Sequence, residues 1–335
     1  MDQKTMNILI IESTSKRKPL LEDYSDTSIV HCRNSLILKK ALNADLLDGE
    51  YFLPEVLSKQ YDVIICCYAS PYMPHIPYRQ VLQNNPNARY IWLVNDHDVE
   101  DNQLLRWGIQ NMGLGYDMIC NNPREGYRHW ILGKNIANKK LNDFIGKWLT
   151  VNLNSLIMDE ASAVDPSQKN GVVYYGTYRK WRAKSFRKFL TDGVYLSASN
   201  KNWKKFQSIG CTCNFIPKLE WQKNNESLRW FKYSIYMEDE HTHTNYAFLA
   251  NRFYEALMAD AVMLFDAECS NTIAKCGYDI PAHLILNDAK IKDGVVAYAK
   301  TIDFDASLAH QKTFIAKAMD EKTNAIKQIK EFVWK

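Results

Sequence analysis

Arg252 and Glu255 are the pair of residues whose types and spacing point most directly to chemistry. They lie three positions apart, next to an apolar stripe with the roughly 3.6-residue spacing of a helix. The stripe consists of Leu249, Phe253, Ala256 and Leu257. A guanidinium fork pairs with diphosphate oxygens, and a carboxylate accepts hydrogen bonds from a ribose diol. The pair therefore suits a nucleotide sugar, whereas the alternative is an intrahelical ion pair on a solvated face.

A glycine turn at Gly176 is a second candidate site. It follows an apolar run, and Thr177 can cap the helix that the next residues predict. A strand, a tight turn and a helix N-terminus together form an anion site from backbone N–H groups. Arg179 and Arg182 add positive charge next to this turn. The alternative is a basic surface helix whose cations are only solvated.

Asp96 is the candidate acid–base residue, because it lies in a polar segment directly after an apolar run. An aspartate is ionised near neutral pH, and it can accept a proton from a hydroxyl as a new bond forms. His97, Asp98 and Glu100 are rival candidates from the same segment. The alternative is that these residues have no catalytic role and only form a turn after the strand, in which Asn and Asp side chains hydrogen-bond to their own backbone.

Histidine and cysteine pairs do not predict a metal site. His241 and His243 point to one face of an extended segment, but no third ligand is identifiable, so a loop is the simpler interpretation. The same holds for Cys211 and Cys213. The eight cysteines follow no zinc-finger or zinc-ribbon spacing, which favours a reduced, intracellular protein.

Alternating strands and helices must position the candidate residues. In the first half, strands are predicted at 7–11, 61–68, 89–94 and 117–120, with helical patterns at 34–44 and from 78 to 82. In the second half, the predicted elements are a strand at 171–175, a basic helix at 180–190, a strand at 194–197, a helix–strand unit at 246–266 and a helix at 308–334. This alternation is typical of doubly wound parallel sheets, which bind ligands at the carboxyl ends of their strands.

A polar, turn-rich segment at 159–169 predicts a linker between two domains. We expect an N-terminal Rossmann-like domain at 1–165 and a C-terminal Rossmann-like domain at 170–307. The segment 308–335 is expected to be a helix that packs back on the first domain.

Length and composition exclude several classes of protein. The 335 residues are 46% hydrophobic and 12% aromatic, which is enough for two ordinary cores and argues against disorder. The net charge of +4 allows an anionic partner without requiring one. No run approaches the roughly 20 apolar residues of a membrane span, and the apolar run near the N-terminus is too short for a signal peptide.

Taken together, these residues resemble the T-even phage DNA β-glucosyltransferase family. The match is strongest at 252–266, where the family has an Arg-x-x-Glu helix followed by a nearly identical strand. It continues at 173–179, which is similar to the phosphate-binding turn of the family, and at 90–96, where Asp96 falls on the position of the catalytic carboxylate. A weaker similarity lies at 61–65.

The resemblance implies an α/β protein with the GT-B fold, in which two doubly wound Rossmann-like domains face a central cleft. The first domain would take the DNA acceptor and the second the nucleotide sugar. The roles of the family's site residues can be assigned to the matching positions of this sequence. Asp96 would be the general base, and Arg179 and Arg252 would clamp the diphosphate. Glu255 would bind the ribose, and Thr177 would contact a phosphate.

The chain also departs from the family pattern. Ala183 stands where the family has the second arginine of the phosphate turn, and Arg182 and Lys184 are the candidates to replace it. The segment 12–18, with its basic run Lys16 to Lys18, replaces a glycine-rich loop.

The implied activity is that of an inverting, UDP-sugar-dependent DNA glycosyltransferase. It would move a hexosyl or pentosyl group to a hydroxymethylated pyrimidine, such as 5-hydroxymethylcytosine, that is flipped out of double-stranded phage DNA. Mg²⁺ or Mn²⁺ at the diphosphate is compatible with this, although no spacing predicts a protein metal site. A monomer in the cytoplasm, of the host cell if the protein is viral, is expected. Candidate DNA contacts in the first domain are Arg106, Trp107, Arg124, Arg128, His129 and Trp130.

Two alternatives remain open from the sequence. One is a GT-B glycosyltransferase that acts on a saccharide or a small molecule, and the other is a non-catalytic nucleic-acid-binding relative. A nicotinamide dehydrogenase is disfavoured, because no Gly-x-Gly-x-x-Gly follows the first strand. The transferred sugar and the accepting base are not determined by the sequence.

Overall fold

The computed structural model describes residues 6–12, 30–48, 54–67, 75–94, 103–121, 145–159, 165–219, 227–239, 243 and 249–335. The chain forms two compact units. Unit 1 comprises Met1–Ile157 and Glu321–Lys335, and unit 2 comprises Met158–Asp320. The division lies just before the polar segment that predicts a linker. Part of that segment, Pro166–Gln168, is a short 3₁₀ turn capped by the side chain of Asp165.

Unit 1 is a six-stranded parallel sheet with the strand order β2-β1-β3-β4-β5-β6. Its strands are β1 (Ile8–Glu12), β2 (Asp45–Asp48), β3 (Val63–Cys66), β4 (Arg89–Val94), β5 (Tyr116–Cys120) and β6 (Ile145–Thr150). The helices in the described part of this unit are α1 (Val30–Leu42), α2 (Glu55–Ser58), α3 (His75–Asn84) and α4 (Gln103–Met112).

Alternate residues of each central strand of unit 1 enter separate hydrophobic clusters. Leu9 and Ile64 belong to one cluster, while their neighbours Ile8 and Ile65 belong to the other. This period of two, with both faces buried, explains why the strands read as continuous apolar runs. Both faces of the sheet are therefore covered.

The last helix, α11 (Phe314–Val333), belongs to both units along its length. Ala325, Ile329 and Val333 lie in a hydrophobic cluster of unit 1. Arg89 donates to the carbonyl oxygens of Phe332 and Val333 at 2.7 and 3.0 Å. These contacts satisfy carbonyls that the end of a helix leaves without an intrahelical partner.

Unit 2 is also a six-stranded parallel sheet, with the order β12-β11-β10-β7-β8-β9. Its strands are β7 (Val172–Tyr175), β8 (Val194–Ser197), β9 (Asn214–Ile216), β10 (Tyr233–Tyr236), β11 (Val262–Asp266) and β12 (Ile285–Leu286). Its described helices are α5 (Ala183–Phe189), α6 (Asn200–Ser208), α7 (Asn251–Met258), α8 (Ser270–Lys275), α9 (Val295–Ala299) and α10 (Phe304–Lys312), followed by the first turns of α11.

The strand order of unit 2 reverses between β7 and β10, which pair in parallel. Counted within the unit, this is the 3-2-1-4-5-6 order of dinucleotide-binding sheets. Ligands of such sheets bind beyond the carboxyl ends of the strands at the reversal point. The segments that leave β7 and β10 are therefore where a ligand site is expected.

Several strands follow the sequence predictions closely, and others were not predicted. β4, β8 and β11 lie where apolar runs predict them. The edge strands β2, β6, β9 and β12 and the buried strand β10 were missed. Edge strands are partly exposed, as β6 and β9 are here, so their sequences lack a continuous apolar run.

Candidate functional site

The candidate site lies where β7 and β10 end in unit 2. Gly176 and Thr177 follow β7, and Met237, Glu238 and Asp239 follow β10. Helix α7, which precedes β11, supplies Arg252 and Glu255. The backbone N–H of Ala250 donates to the Tyr236 hydroxyl at 2.8 Å, which fixes the first turn of α7 to the end of β10.

The residues of α7 are more buried than an amphipathic surface helix requires. The predicted stripe of Leu249, Phe253, Ala256 and Leu257 is at most 1% exposed. Glu255 is only 3% exposed, and the Arg252 side chain is 16% exposed. The alternative of an ion pair on a solvated face is therefore wrong.

Arg252 is held along one side of its guanidinium group. Its Nη1 donates to Glu238 Oε1 at 2.8 Å and to the Met237 carbonyl oxygen. The guanidinium carbon lies 5.5 Å from the centre of the Tyr174 ring and 5.8 Å from that of Tyr175. These contacts fix the plane of the group.

The other edge of the Arg252 guanidinium faces the glycine turn. Its Nε is buried and has no hydrogen-bond partner among the described residues. A Cβ atom built on Gly176 would lie 3.4 Å from Nη2, so this edge stands directly against the turn after β7. Nε and Nη2 form the edge with which arginine binds two oxygens of a carboxylate or phosphate. A buried donor without an acceptor costs about 1–3 kcal/mol, and an anionic ligand at this edge would remove that cost.

Arg182 has protein acceptors for all three of its guanidinium nitrogens. Nε donates to Asp239 Oδ1, and Nη2 lies 3.3 Å from Glu238 Oε2. Nη1 lies 3.3 Å from both the Tyr174 hydroxyl and the Met237 carbonyl oxygen. Glu238 thus bridges Arg182 and Arg252. Together with Asp239 they form one network of four charged groups, in which one edge of Arg252 is left without a protein acceptor among the described residues.

The carboxylates keep both arginines charged despite their burial. Burial alone would lower the pKa of Arg252, but Glu238 and Tyr174 outweigh it, and the pKa lies above its ordinary value. The pKa of Arg182 responds in the same way. Burial lowers it, but Tyr174, Glu238 and Asp239 raise it by more, so the pKa lies above its ordinary value. Both arginines are therefore charged at neutral pH.

Glu255 is fixed by the last residue of β7. The Tyr175 hydroxyl donates to Glu255 Oε2 at 2.9 Å, and Tyr175 itself is 9% exposed. The carboxylate is thereby oriented at the same strand end that bears the glycine turn. A buried carboxylate at this place can accept hydrogen bonds from the hydroxyls of a ligand.

The turn after β7 places the other predicted residues in solvent. Gly176 has φ +155°, which a side chain would strain, and its N–H donates to the Ser197 carbonyl oxygen at 3.3 Å. Thr177 and Arg179 are exposed. The prediction that Thr177 caps the next helix is wrong, because a 3₁₀ turn at Lys180–Arg182 begins at Arg179 without a side-chain cap.

The structure distinguishes the two candidates for the missing family arginine. Lys184 is 85% exposed and pairs with Glu268 at 3.8 Å. Arg182 is 10% exposed and belongs to the network that holds Arg252. Of the two, only Arg182 lies at the strand ends.

The remaining candidates lie elsewhere. Asp96, His97, Asp98, Glu100 and His241 fall outside the described residues, as do the basic run at 16–18 and the residues at 124–130. His243 packs internally, with its carbonyl oxygen accepting from Asn271 and Thr272 at 3.0 Å. Trp107 of unit 1 is partly buried against the core and lies 5.3 Å from the Arg79 guanidinium carbon.

Cysteine chemistry and metal binding find no support in the described residues. Burial raises the pKa of Cys211 to about 11 and that of Cys213 to about 12, so both remain thiols at neutral pH. No group of three or more His, Cys, Asp or Glu side chains in the described ranges is arranged to hold a metal ion. None of the helices described has the length and apolar character of a membrane span.

Glu238 and Asp239 are the functional residues that sequence reasoning missed. The signal was present, since two acidic residues directly follow the run 233–237. Recognising that run as a strand would have placed both carboxylates at the carboxyl edge of the sheet. Their pairing with Arg182, across 56 and 57 positions, is a long-range contact that local patterns do not encode.

Solved structures match this chain over nearly its whole length, although no protein-family model and no curated protein sequence matches it. T4 phage β-glucosyltransferase, in a complex with UDP-glucose, matches with a TM-score of 0.70 and 18% identity, covering 98% of this chain and 99% of the other. An α-glucosyltransferase in complex with UDP-glucose and DNA containing an abasic site matches with a TM-score of 0.62 and 9% identity, covering 96% and 99%. The predicted resemblance is confirmed at the level of fold, and the chain has the GT-B fold with two Rossmann-like units.

Proposed function

We propose that this protein is a glycosyltransferase that moves a sugar from a UDP-sugar to a hydroxymethylated pyrimidine in DNA. The observation that carries the proposal is the edge of Arg252, a buried guanidinium that is fixed on one side and offers an unpartnered Nε beside the glycine turn. It lies at the reversal point of a nucleotide-binding strand order, within a GT-B fold.

The diphosphate of the donor binds at the turn after β7. Nε and Nη2 of Arg252 donate to phosphate oxygens, and exposed Thr177 and Arg179 contribute a hydroxyl and a second positive charge from the turn. As the bond to the sugar breaks, negative charge grows on the leaving diphosphate. Cations fixed at that position stabilise the transition state more than the ground state.

Arg182 contributes to donor binding through its neighbours. Its guanidinium is committed to Asp239, Glu238 and Tyr174, so it holds Glu238, and Glu238 holds Nη1 of Arg252. The network orients the free edge of Arg252 before the donor arrives, which reduces the ordering cost of binding.

Glu255 binds the ribose of the donor. It is oriented by Tyr175 and stands three residues from Arg252 on the same helix, so diphosphate and ribose are bound by one rigid element. A carboxylate at this point prefers a ribose, which has a 2′-hydroxyl to donate, over a deoxyribose.

Asp96 acts as the general base in the transfer. The hydroxyl oxygen of the acceptor attacks the anomeric carbon and its proton passes to the Asp96 carboxylate. The bond from that carbon to the diphosphate oxygen breaks, and UDP leaves with the electron pair. Attack opposite the leaving group inverts the anomeric centre.

Unit 1 takes the DNA acceptor in this proposal, and unit 2 takes the donor. The support for DNA is the fold, which is shared with the α-glucosyltransferase solved with DNA. A second structure of an α-glucosyltransferase, with UDP and a 13-mer DNA containing an HMU base, matches with a TM-score of 0.55 and 10% identity over 97% of this chain and 94% of the other. A base inside a duplex must be flipped out before its hydroxymethyl group can react.

A divalent cation is compatible with this donor site. T4 phage β-glucosyltransferase has been solved with UDP and Mn²⁺. The carboxylates of Glu238 and Asp239 are bonded to arginines, so Mg²⁺ or Mn²⁺ would be held by the donor phosphates and water. The ion would neutralise charge on the diphosphate, and no residue role given above depends on it.

The test is a donor and acceptor screen read by mass spectrometry of nucleosides. UDP-glucose, UDP-arabinose and UDP-N-acetylglucosamine are each incubated with DNA containing 5-hydroxymethylcytosine, 5-hydroxymethyluracil or unmodified bases. We expect one UDP-sugar to yield a glycosylated hydroxymethylpyrimidine and unmodified DNA to remain unchanged.

Two results would overturn the proposal. UDP binding without transfer to any DNA would favour a saccharide or small-molecule acceptor, to be sought among free glycans. DNA binding without any UDP binding would favour a non-catalytic nucleic-acid-binding protein.

A further inference from the structure

Unit 2 has a concentrated positive surface that the donor site does not explain. Between residues 176 and 210 the chain has nine lysines and arginines and only one acidic residue, Asp192. The whole chain has a net charge of only +4, so the remaining residues are net acidic. A charge asymmetry of this size within one unit indicates an anionic partner.

Not all of these cations are available for a partner. Arg182 belongs to the buried network, and Lys184 and Lys188 pair with Glu268 and Asp288. Arg179 is assigned above to the donor diphosphate. Lys180, Lys201 and Lys205 are exposed, and among the described residues no carboxylate forms a salt bridge with them. We call these three lysines, together with Trp181, the basic strip.

Contacts around Tyr178 bring the two segments of the basic strip together. The Tyr178 N–H donates to Asn202 Oδ1 at 3.2 Å, and its ring packs edge-on against Phe206 at 5.4 Å. Lys205 Nζ lies 5.9 Å from the centre of the same ring. Lys201 is one helical turn before Lys205, so the two lysines lie on the same face of α6, and this face lies next to Tyr178.

Trp181 gives the basic strip a chemical character beyond charge. It is 66% exposed, the highest value among the exposed large hydrophobic residues in the described ranges. The Arg179 guanidinium carbon lies 6.0 Å from its ring centre, so a cation and an aromatic face are presented together. Cations that follow a backbone beside a ring on which a base can stack are characteristic of surfaces that bind nucleic acid.

We infer that the basic strip binds the substrate DNA, so that unit 2 contacts the acceptor as well as the donor. The lysines neutralise backbone phosphates, and Trp181 stacks on a base that leaves the helix near the modified nucleotide. The inference takes its ligand from the proposed function, but its location differs from the unit 1 surface that the sequence predicts for DNA.

The test measures the affinity for a fluorescently labelled 5-hydroxymethylcytosine duplex by anisotropy over a range of salt concentrations. The double variant Lys201→Glu, Lys205→Glu should weaken binding and reduce the slope of log affinity against log salt by about 2. Trp181→Ala should weaken binding roughly five- to 150-fold, and Trp181→Phe should recover most of the affinity.

Matched controls separate this inference from general charge effects and from the proposed function. Lys292→Glu, Lys300→Glu makes the same charge change at exposed lysines of unit 2 outside the strip and should leave the salt slope unchanged. UDP binding measured by calorimetry should be unaffected in all variants, which also shows that they are folded.

If the wild-type protein binds DNA but the strip variants bind as tightly as the controls, the basic strip is not a DNA contact. If the wild-type protein binds no DNA at all, the proposed acceptor is wrong and the strip proposal falls with it.

Discussion

The role of each arginine in the candidate site depends on which edge of its guanidinium group is already hydrogen-bonded to the protein. Arg252 and Arg182 contact the same carboxylate, Glu238, and both are buried. Arg182 has protein acceptors for all its nitrogens, whereas Arg252 retains an Nε without a partner among the described residues. The sequence predicts both as donor-binding, and only the geometry separates the residue that presents a free edge from the one that orients it.

Arg252→Met should weaken UDP binding by roughly 10- to 150-fold, since it removes hydrogen bonds between a charged donor and the diphosphate. The measurement is the dissociation constant of UDP by calorimetry. Arg187→Met, at an exposed arginine of α5, is the matched control and should bind as the wild type does. Equal affinities for UDP in both variants would remove Arg252 from the donor site.

Glu255→Gln should reduce the preference for UDP over 2′-deoxy-UDP. The wild-type carboxylate accepts from the ribose hydroxyl, so we expect it to favour UDP by roughly tenfold or more. In the variant the affinity for 2′-deoxy-UDP should change little while that for UDP falls. If the variant keeps the wild-type ratio of the two dissociation constants, Glu255 does not bind the ribose, and its role is limited to the hydrogen bond with Tyr175.

Among the helices and strands, local sequence patterns predict those whose burial is uniform along the chain. The α7 stripe and the buried run of β11 were predicted because each is encoded within a few consecutive residues. Strand β10 was missed because its four residues include a buried serine, Ser234, and charged residues flank the run. Because β10 was not predicted, Glu238 and Asp239 could not be placed at the carboxyl end of a strand. Two of the four charged groups of the network were therefore not predicted from the sequence.

The close packing of the glycine turn against Tyr174 and Arg252 predicts that a side chain at position 176 will affect UDP binding. A Cβ at position 176 would lie 3.1 Å from the Tyr174 hydroxyl and 3.4 Å from Arg252 Nη2, and φ is +155°. Gly176→Ala should therefore impair UDP binding by displacing the free edge of Arg252. Gly210→Ala is a control that also places a side chain at positive φ, because Gly210 has φ +85°, but nothing lies within 4 Å of its Cβ.

Both glycine variants should lose thermal stability, because both place a side chain at positive φ, but only Gly176→Ala should lose affinity for UDP in calorimetry. Loss of UDP affinity in both variants would mean that strain in the backbone, and not the position of Arg252, is responsible.

Lys169, just before β7, makes the stability of unit 2 depend on pH. Its Nζ donates to the Ala259 carbonyl oxygen at 2.8 Å and to that of Arg229, and burial lowers its pKa to about 8 from an ordinary 10.5. Between these values the unfolded chain binds more protons than the folded one. The contribution of Lys169 to stability therefore increases as the pH rises from about 8 toward 10.5.

Lys169→Met should lower the stability throughout and remove this increase. The measurement is urea unfolding of both proteins at pH 7.5 to 9.5, and the difference in unfolding free energy between wild type and variant should grow with pH. A difference that is constant over this range would show that Lys169 does not titrate there.

For the chain as a whole, the sequence predicts two Rossmann-like halves because strand–helix alternation is repeated on either side of a polar segment. The strand order cannot be predicted in this way, since it depends on which strands pair across long separations. The order of unit 2 nevertheless places the Arg252 helix and the glycine turn at its reversal point, where nucleotide-binding sheets bind their ligands.

We propose that Asp96 in unit 1 activates the hydroxyl of the acceptor while unit 2 binds the donor. The most direct test is transfer of radiolabelled sugar from the UDP-sugar to a hydroxymethylated duplex by the wild type, Asp96→Asn and Asp98→Asn, with UDP affinity measured in parallel. We expect Asp96→Asn to abolish transfer with UDP affinity nearly unchanged, while Asp98→Asn retains transfer. Transfer by Asp96→Asn at the wild-type rate, or an equal loss of transfer and UDP binding, would show that Asp96 is not the general base.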